Sequence, residues 1–248
     1  MDQYRFTEIC NGWFASERER LGIGTQSEKT LHAILKRYFE PNETKHEIKM
    51  CGYIADIADD GEIIEIQTKE LYRLAPKISA FLAENRVTVV YPIIVKKQLF
   101  WLDTETGECK FLRKSSKCGK SIDLLYELYG LREFLGNPNF RVCVVLLEAN
   151  EYRALDGYGK DKKKHATKLD RIPTALMNEF YLEKPMDYRR FFPEALPPVF
   201  TSADFRTAAN CSLRTSQRAL NIFTKLGLIK VVGKTNRFNK YEMVSAFI

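Results

Sequence analysis

The dipeptide Asp60-Gly61 is the feature that most restricts what this chain can fold into. It lies between an extended stretch, His46 to Ile57, and a run from Glu62 to Thr68 that alternates in strand fashion. Asp-Gly in that setting is a preferred centre for a two-residue type I′ hairpin, because both central residues need positive φ. A fixed loop length fixes the register, which sets Asp56 opposite Glu65 with both side chains on one face. Cross-strand Cβ atoms lie about 5 Å apart and facing like charges repel, so two carboxylates there need a compensating group. A divalent cation is one. Alternation sets Gln67 on the face of Glu65 and turns Ile64 and Ile66 to the other. Carboxylate and carbonyl oxygens at that spacing suit a hard ion, Mg²⁺ or Mn²⁺, which keeps several waters and also binds a phosphate oxygen.

The surrounding pattern predicts a mixed α/β domain. A helix starts near Ser27, runs through Leu31, Ile34, Leu35 and Tyr38-Phe39, and stops before Pro41. After the hairpin, Lys69 to Glu84 reads as a helix with Leu71, Leu74, Ala75, Ile78 and Leu82 on one side, followed by the apolar strand Val87–Val95. A strand, helix, strand order implies parallel pairing. Two short extended pieces, Leu99–Asp103 and Cys109–Leu112, flank a turn at 104–107, and a helix over Ser121–Leu135 leads into the strand Arg141–Glu148. The glycine- and lysine-rich run from Asp156 to His165 reads as a linker. The predicted organisation is therefore a domain over 1–155, a basic linker over 156–169, and a second domain over 170–248.

Gly52-Tyr53-Ile54-Ala55-Asp56-Ile57 followed by Glu65-Ile66-Gln67 resembles the core of the PD-(D/E)xK nuclease superfamily, in the variant where Gln replaces Lys. The order helix, hairpin, helix, parallel strand over residues 27–95 matches as well. The resemblance implies a restriction-endonuclease-like mixed sheet flanked by helices, and hydrolysis of phosphodiesters. It implies that Asp56, Glu65 and the carbonyl of Ile66 hold Mg²⁺ or Mn²⁺, with Glu28 or the nearby His32 completing the site from the preceding helix. Gln67 would position a metal-activated water. Two departures stand out: Ala55 replaces the proline often found before the Asp, and Gln67 carries no positive charge. Lys69 is the expected substitute if the strand continues that far.

After Pro197-Pro198 a second pattern begins. Thr201 or Ser202 caps a helix through Ala209, Asn210 supplies a turn, and Ser212 opens a second helix that ends at Gly227. Leu228–Val232 and Arg237–Met243 then read as a hairpin. This succession resembles a winged helix-turn-helix, which implies duplex DNA as partner, with the second helix in the major groove and the wing on the backbone. The residues so assigned are Arg214, Thr215, Gln217, Arg218, Asn221 and Lys225 on the helix, and Lys234, Arg237 and Lys240 on the wing. Charge agrees. Residues 1–155 hold 22 Lys/Arg and 23 Asp/Glu, whereas residues 156–248 hold 17 and 9, so the net charge of +7 is carried by the last third.

Several function classes are excluded. There is no G-x-x-x-x-G-K-[ST], no G-x-G-x-x-G and no G-x-S-x-G. Six scattered cysteines without a C-x-x-C pair argue for reduced thiols. No long uncharged apolar run and no basic-then-apolar start occur, so a soluble, cytoplasmic protein without membrane contact is expected. A homodimer stays open. The reading is a Mg²⁺-dependent DNA endonuclease; the alternative is a non-catalytic DNA-binding regulator or a nuclease-like scaffold. The face bearing Asp56, Glu65 and Gln67 discriminates, since a nuclease leaves it open to phosphate.

Overall fold

The computed structural model describes the backbone of residues 2–20, 27–103, 106–154, 166–236 and 238–244, and the side chains of these except 14–20 and 27–29. The elements in chain order are α1 (Gln3–Arg20), α2 (Ser27–Phe39), β1 (His46–Met50), β2 (Tyr53–Asp59), β3 (Glu62–Ile66), α3 (Ala75–Phe81), β4 (Arg86–Leu102), β5 (Cys109–Lys114), α4 (Leu124–Leu128), β6 (Phe140–Ala154) and β7 (Thr167–Leu182). Then follow β8 (Val199–Phe200), α5 (Ser202–Ala208), α6 (Leu213–Lys225), β9 (Ile229–Thr235) and β10 (Phe238–Met243). The large sheet has seven strands in the order β1-β2-β3-β4-β6-β7, with β5 on the far half of β4. Mixed pairing makes this an α/β architecture: β4 is parallel to both β3 and β6, and the other ladders are antiparallel.

The strand, helix, strand expectation holds at β3-α3-β4, although the helix is shorter than 69–84. A 3₁₀ turn over Leu71–Leu74 precedes α3, and Glu70 enters it in the left-handed region at φ 55°. Strand β4 is buried on both faces through Val90, as a central parallel strand requires. Helices α1 and α2 cover one face with Phe6, Leu31, Ile34, Leu35 and Tyr38, packed on Val90, Cys143, Val145 and Leu147. The opposite face carries Ile78 and Phe81 of α3 and Leu124, Leu125 and Leu128 of α4 in a cluster that continues into Phe205, Leu220 and Phe223 of the C-terminal segment.

The expected domain end at 155 needs correction. Strand β7 pairs antiparallel with β6 from Val142–Leu182 to Ala154–Thr167, so residues 167–182 belong to the large sheet. The charged run 156–165, expected as a linker between domains, connects these two strands and lies outside the described residues. Redrawn at 183, residues 1–183 hold 28 Lys/Arg and 28 Asp/Glu, and residues 184–248 hold 11 and 4. The whole surplus of +7 thus lies beyond the large sheet.

In the C-terminal segment β8, β10 and β9 form a small sheet against α5 and α6. Its helix ends follow the expected chemistry. Thr201 caps α5 in a reciprocal capping box with Asp204, and Ser212 accepts from the amide of Thr215 at the start of α6. Asn210 and Gly227 take left-handed φ values of 47° and 72°, which let the chain turn after each helix. The hairpin strands run to Thr235 and resume at Phe238, so the connection comes later than the expected 233–236.

Candidate active site

The hairpin register is the one the Asp60-Gly61 turn demands. Ile57 pairs with Ile64, Ala58 with Ile63 and Asp59 with Glu62, and the turn residues have φ 37° and 80°, both positive as in type I′. One step inward, side chains take over from the backbone ladder. The amide of Asp56 donates to Glu65 Oε1 at 3.1 Å, and the amide of Ile66 donates to Asp56 Oδ2 at 2.8 Å. Each carboxylate therefore satisfies an amide of the neighbouring strand, which holds the two groups side by side.

Two further residues meet this pair. His32 on α2 places Nε2 3.1 Å from Asp56 Oδ2 and 3.0 Å from the carbonyl oxygen of Ile66. Both partners accept, so Nε2 carries the hydrogen. Lys77 on α3 places Nζ 2.5 Å from Glu65 Oε2, and Glu65 is only 2% exposed. The repulsion expected between Asp56 and Glu65 is thus balanced within the chain by His32 and Lys77. Burial first and the Asp56 charge second push the Glu65 carboxyl up to about 7, against the pull of Lys77. Burial also works to raise Asp56, but the His32 hydrogen bond and charge, the Ile66 amide and Lys77 outweigh it and hold that carboxyl below its usual value.

Asp56 Oδ2 and Ile66 O converge on one point, held here by His32 Nε2–H. The oxygens of Glu65 are turned to the Asp56 amide and to Lys77 Nζ. Among the described residues no three His, Cys, Asp or Glu side chains are grouped as a metal site. The Glu28 side chain lies outside the described residues. Strand β3 ends at Ile66, so Gln67 sits one step beyond it with its amide donating to Val90 O at 3.0 Å. Lys69 lies on an exposed bend and not on the strand face, so the expectation that the strand carries it into the site does not hold. Lys77 is the cation that reaches Glu65. The sequence carried a signal for it: Lys77 stands three residues after Leu74 and four before Phe81, on the buried stripe of α3.

A family model described as "Domain of unknown function (DUF8091)" matches residues 29–183. The chain belongs to the DUF8091 family. The matched span runs from α2 to one residue past β7, so it contains His32, Asp56, Glu65, Gln67 and Lys77 and leaves out the basic C-terminal segment. An uncharacterized protein of Treponema pallidum (strain Nichols) is 31% identical over 224 residues, which cover 89% of this chain and 87% of that one. No solved structure matches.

Outside the DUF8091 span, the residues expected to touch DNA divide into two groups. Arg214, Gln217 and Asn221 form an exposed strip on α6, and Lys234 is exposed on β9. Thr215, expected to be exposed, is buried at the first turn with its hydroxyl 2.9 Å from that of Ser212. Arg218 faces the DUF8091 domain: its guanidinium stacks 3.7 Å from the Tyr126 ring centroid and donates to the Tyr126 carbonyl at 2.7 Å. Lys225 pairs with Glu133 at 2.6 Å. Lys240 is half-buried on β10, and Arg237 lies outside the described residues. No helix among the described residues is long and apolar enough to cross a membrane.

Proposed function

We propose that this DUF8091 protein is a metal-dependent phosphodiesterase acting on DNA. The observation that carries the reading is the junction of β2 and β3, where Asp56, Glu65 and the Ile66 carbonyl present oxygens beside Lys77. Asp56, Glu65 and Ile66 O would hold Mg²⁺ or Mn²⁺, with Glu28 as a further candidate from α2. When bound, the ion lowers the pKa of a water and stabilises charge developing on the phosphate. Lys77 supplies from α3 the positive charge that Gln67 lacks, and Gln67 orients the water through its amide group. His32 Nε2–H holds Asp56 Oδ2 and Ile66 O at a common point, where an ion would be bound. The exposed strip Arg214, Gln217 and Asn221, with Lys234 on the hairpin, fits a winged helix laid on duplex DNA, because Arg and Gln suit base edges and Lys suits phosphates. The fold reading that accompanies this is a restriction-endonuclease-like core in the cytoplasm.

A second reading is favoured by one observation. Glu65 is buried and both carboxylates already have partners within the chain. A DNA-binding scaffold or regulator would keep that arrangement permanently. Incubating the full chain with plasmid and with short duplexes, in Mg²⁺, Mn²⁺ or EDTA, separates the two. Nicked or linear product that forms only with metal supports hydrolysis. Intact DNA under all three conditions, with duplex still bound, overturns it in favour of the scaffold.

A further inference from the structure

A cavity of about 310 Å³ opens beside the candidate site. Thr68, one residue past Gln67, and Leu31, one residue before His32, form its near wall, and Tyr91 to Ile94 of β4 form its floor. Lys97, Lys117, Lys120 and Arg171 line it against a single acidic residue, Asp123. Its size is at the small end for ligand pockets, enough for a phosphate with its sugar but not for a large cofactor.

The cationic lining is held in place by structure. Glu151, 1% exposed, is bonded by three cations: Lys97 Nζ at 2.8 Å, Arg171 Nη2 at 3.0 Å, and Arg153 through Nε at 2.8 Å and through Nη2. One carboxylate shared among three cations fixes their positions and leaves positive charge over. Arg171 Nε is buried with no hydrogen-bond partner among the described residues. On the opposite rim, the loop carrying Lys117 and Lys120 is tied to β4, with the Ser115 amide on Lys97 O and the Gly119 amide on Ile94 O, each at 2.8 Å. A Cβ at Gly119 would stand 2.7 Å from Ile93 Cγ2 and 3.1 Å from Ile94 O, so only glycine lets the loop lie this close. Lys120 Nζ donates to Asn210 O at 2.9 Å, and Lys117 is exposed on the same loop.

We infer that this cavity is a phosphate subsite that holds the DNA backbone next to the bond being cut, with Lys117 and Lys120 as its outer contacts and Lys97 and Arg171 as its inner ones. The inference rests on the proposed phosphodiesterase reading for its choice of DNA, but not for the anionic chemistry of the ligand. Lys ammonium and Arg guanidinium groups fixed around a concave surface recognise phosphate oxygens as point charge and as fork.

The test is duplex binding by the full chain in EDTA, so that chemistry does not enter. Fluorescence anisotropy of a labelled duplex is followed across a salt series for wild type, Lys117→Gln and Lys120→Gln. Both residues are exposed, and circular dichroism checks that each variant folds. Each lost phosphate contact should flatten the slope of log K against log salt by about 0.9, which at about 0.1 M salt is a loss of about eight-fold in affinity. Wild-type affinity and slope in both variants overturn the inference. So does a Lys117→Gln variant that loses binding to a free deoxynucleoside triphosphate while keeping duplex binding, since the cavity then serves mononucleotides. A protein that binds duplex through Lys117 and Lys120 yet never cuts it refutes hydrolysis alone; one that cuts, with both variants binding normally, refutes the cavity alone.

Discussion

Replacing Lys77 by Met removes the only positive charge bonded to Glu65 among the described residues and leaves a carboxyl that is 2% exposed beside Asp56. Breaking a buried pair while the remaining group stays charged costs about 3–5 kcal/mol. Glu65 has a cheaper route, which is to take up a proton. From an ordinary value of 4.5, holding it neutral at pH 7 costs about 3 kcal/mol at 1.36 kcal/mol per unit. Nearly all of that cost is already present in the wild type, where burial and Asp56 hold the group at about 7. The added loss is therefore only about 0.4 kcal/mol at pH 7, where the wild-type group is half-ionised, and grows to about 1.4 kcal/mol at pH 8, or about 3–6 °C in Tm for a chain of this size. The sign with pH is fixed by linkage. A folded pKa above the unfolded value gives stability that is complete below about 4.5 and is lost as pH rises through about 7, and Lys77→Met moves the folded value higher. The variant should match wild type near about pH 5 and fall behind between about pH 6 and 8, and adding Glu65→Gln should restore most of the loss. Urea titrations of the four proteins at three pH values measure this. A deficit that is the same at every pH, or that Glu65→Gln does not relieve, refutes the pairing argument.

Other perturbations test other parts of the fold. Glu151→Gln leaves Lys97, Arg153 and Arg171 around a neutral group, so urea titration should find it about 3–5 kcal/mol less stable at neutral pH. Burial works to raise Glu151, but bonds from those three residues hold it at about 2, so this contribution is present above about 4.5 and fades as pH falls toward 2. Gly130→Ala places a Cβ 2.5 Å from Tyr72 Cβ and 2.8 Å from Tyr72 Cα, for an expected cost of about 1–3 kcal/mol, whereas Gly12→Ala meets nothing within 4 Å and should not destabilise. Arg218→Ala should lower Tm by undocking α6 from Tyr126 and leave sequence preference unchanged, while Arg214→Ala should weaken DNA binding at constant Tm; melting curves and anisotropy on matched and scrambled duplexes distinguish them.

The hairpin was legible because a two-residue Asp-Gly loop has few geometries, and its register places Asp56 and Glu65 without further information. The caps at Thr201 and Ser212 and the turns at Asn210 and Gly227 were legible for the same local reason. Strand β7 was not, because sheet membership is decided by pairing with β6 across a charged run that reads like a linker. Lys77 is hard to read from sequence because a lysine on a helix is ordinarily a solvated residue, and only its phase with Leu74 and Phe81 marks it as inward. Arg218 was misplaced for the converse reason. An arginine on a presumed recognition helix reads as an outward contact, but the stacking surface offered by Tyr126 comes from a helix about ninety residues earlier in the chain, and no local pattern announces it.

In the proposed reaction Asp56 and Glu65 serve phosphodiester hydrolysis. Single-turnover cleavage of a labelled duplex by wild type, Asp56→Asn and Glu65→Gln in Mn²⁺ tests it most directly, with the bound fraction of DNA measured in the same samples. Cleavage by wild type and none by either variant, at equal bound fractions, is the expected result. Cleavage by both variants at the wild-type rate, or no cleavage by wild type on DNA that it binds, would contradict it.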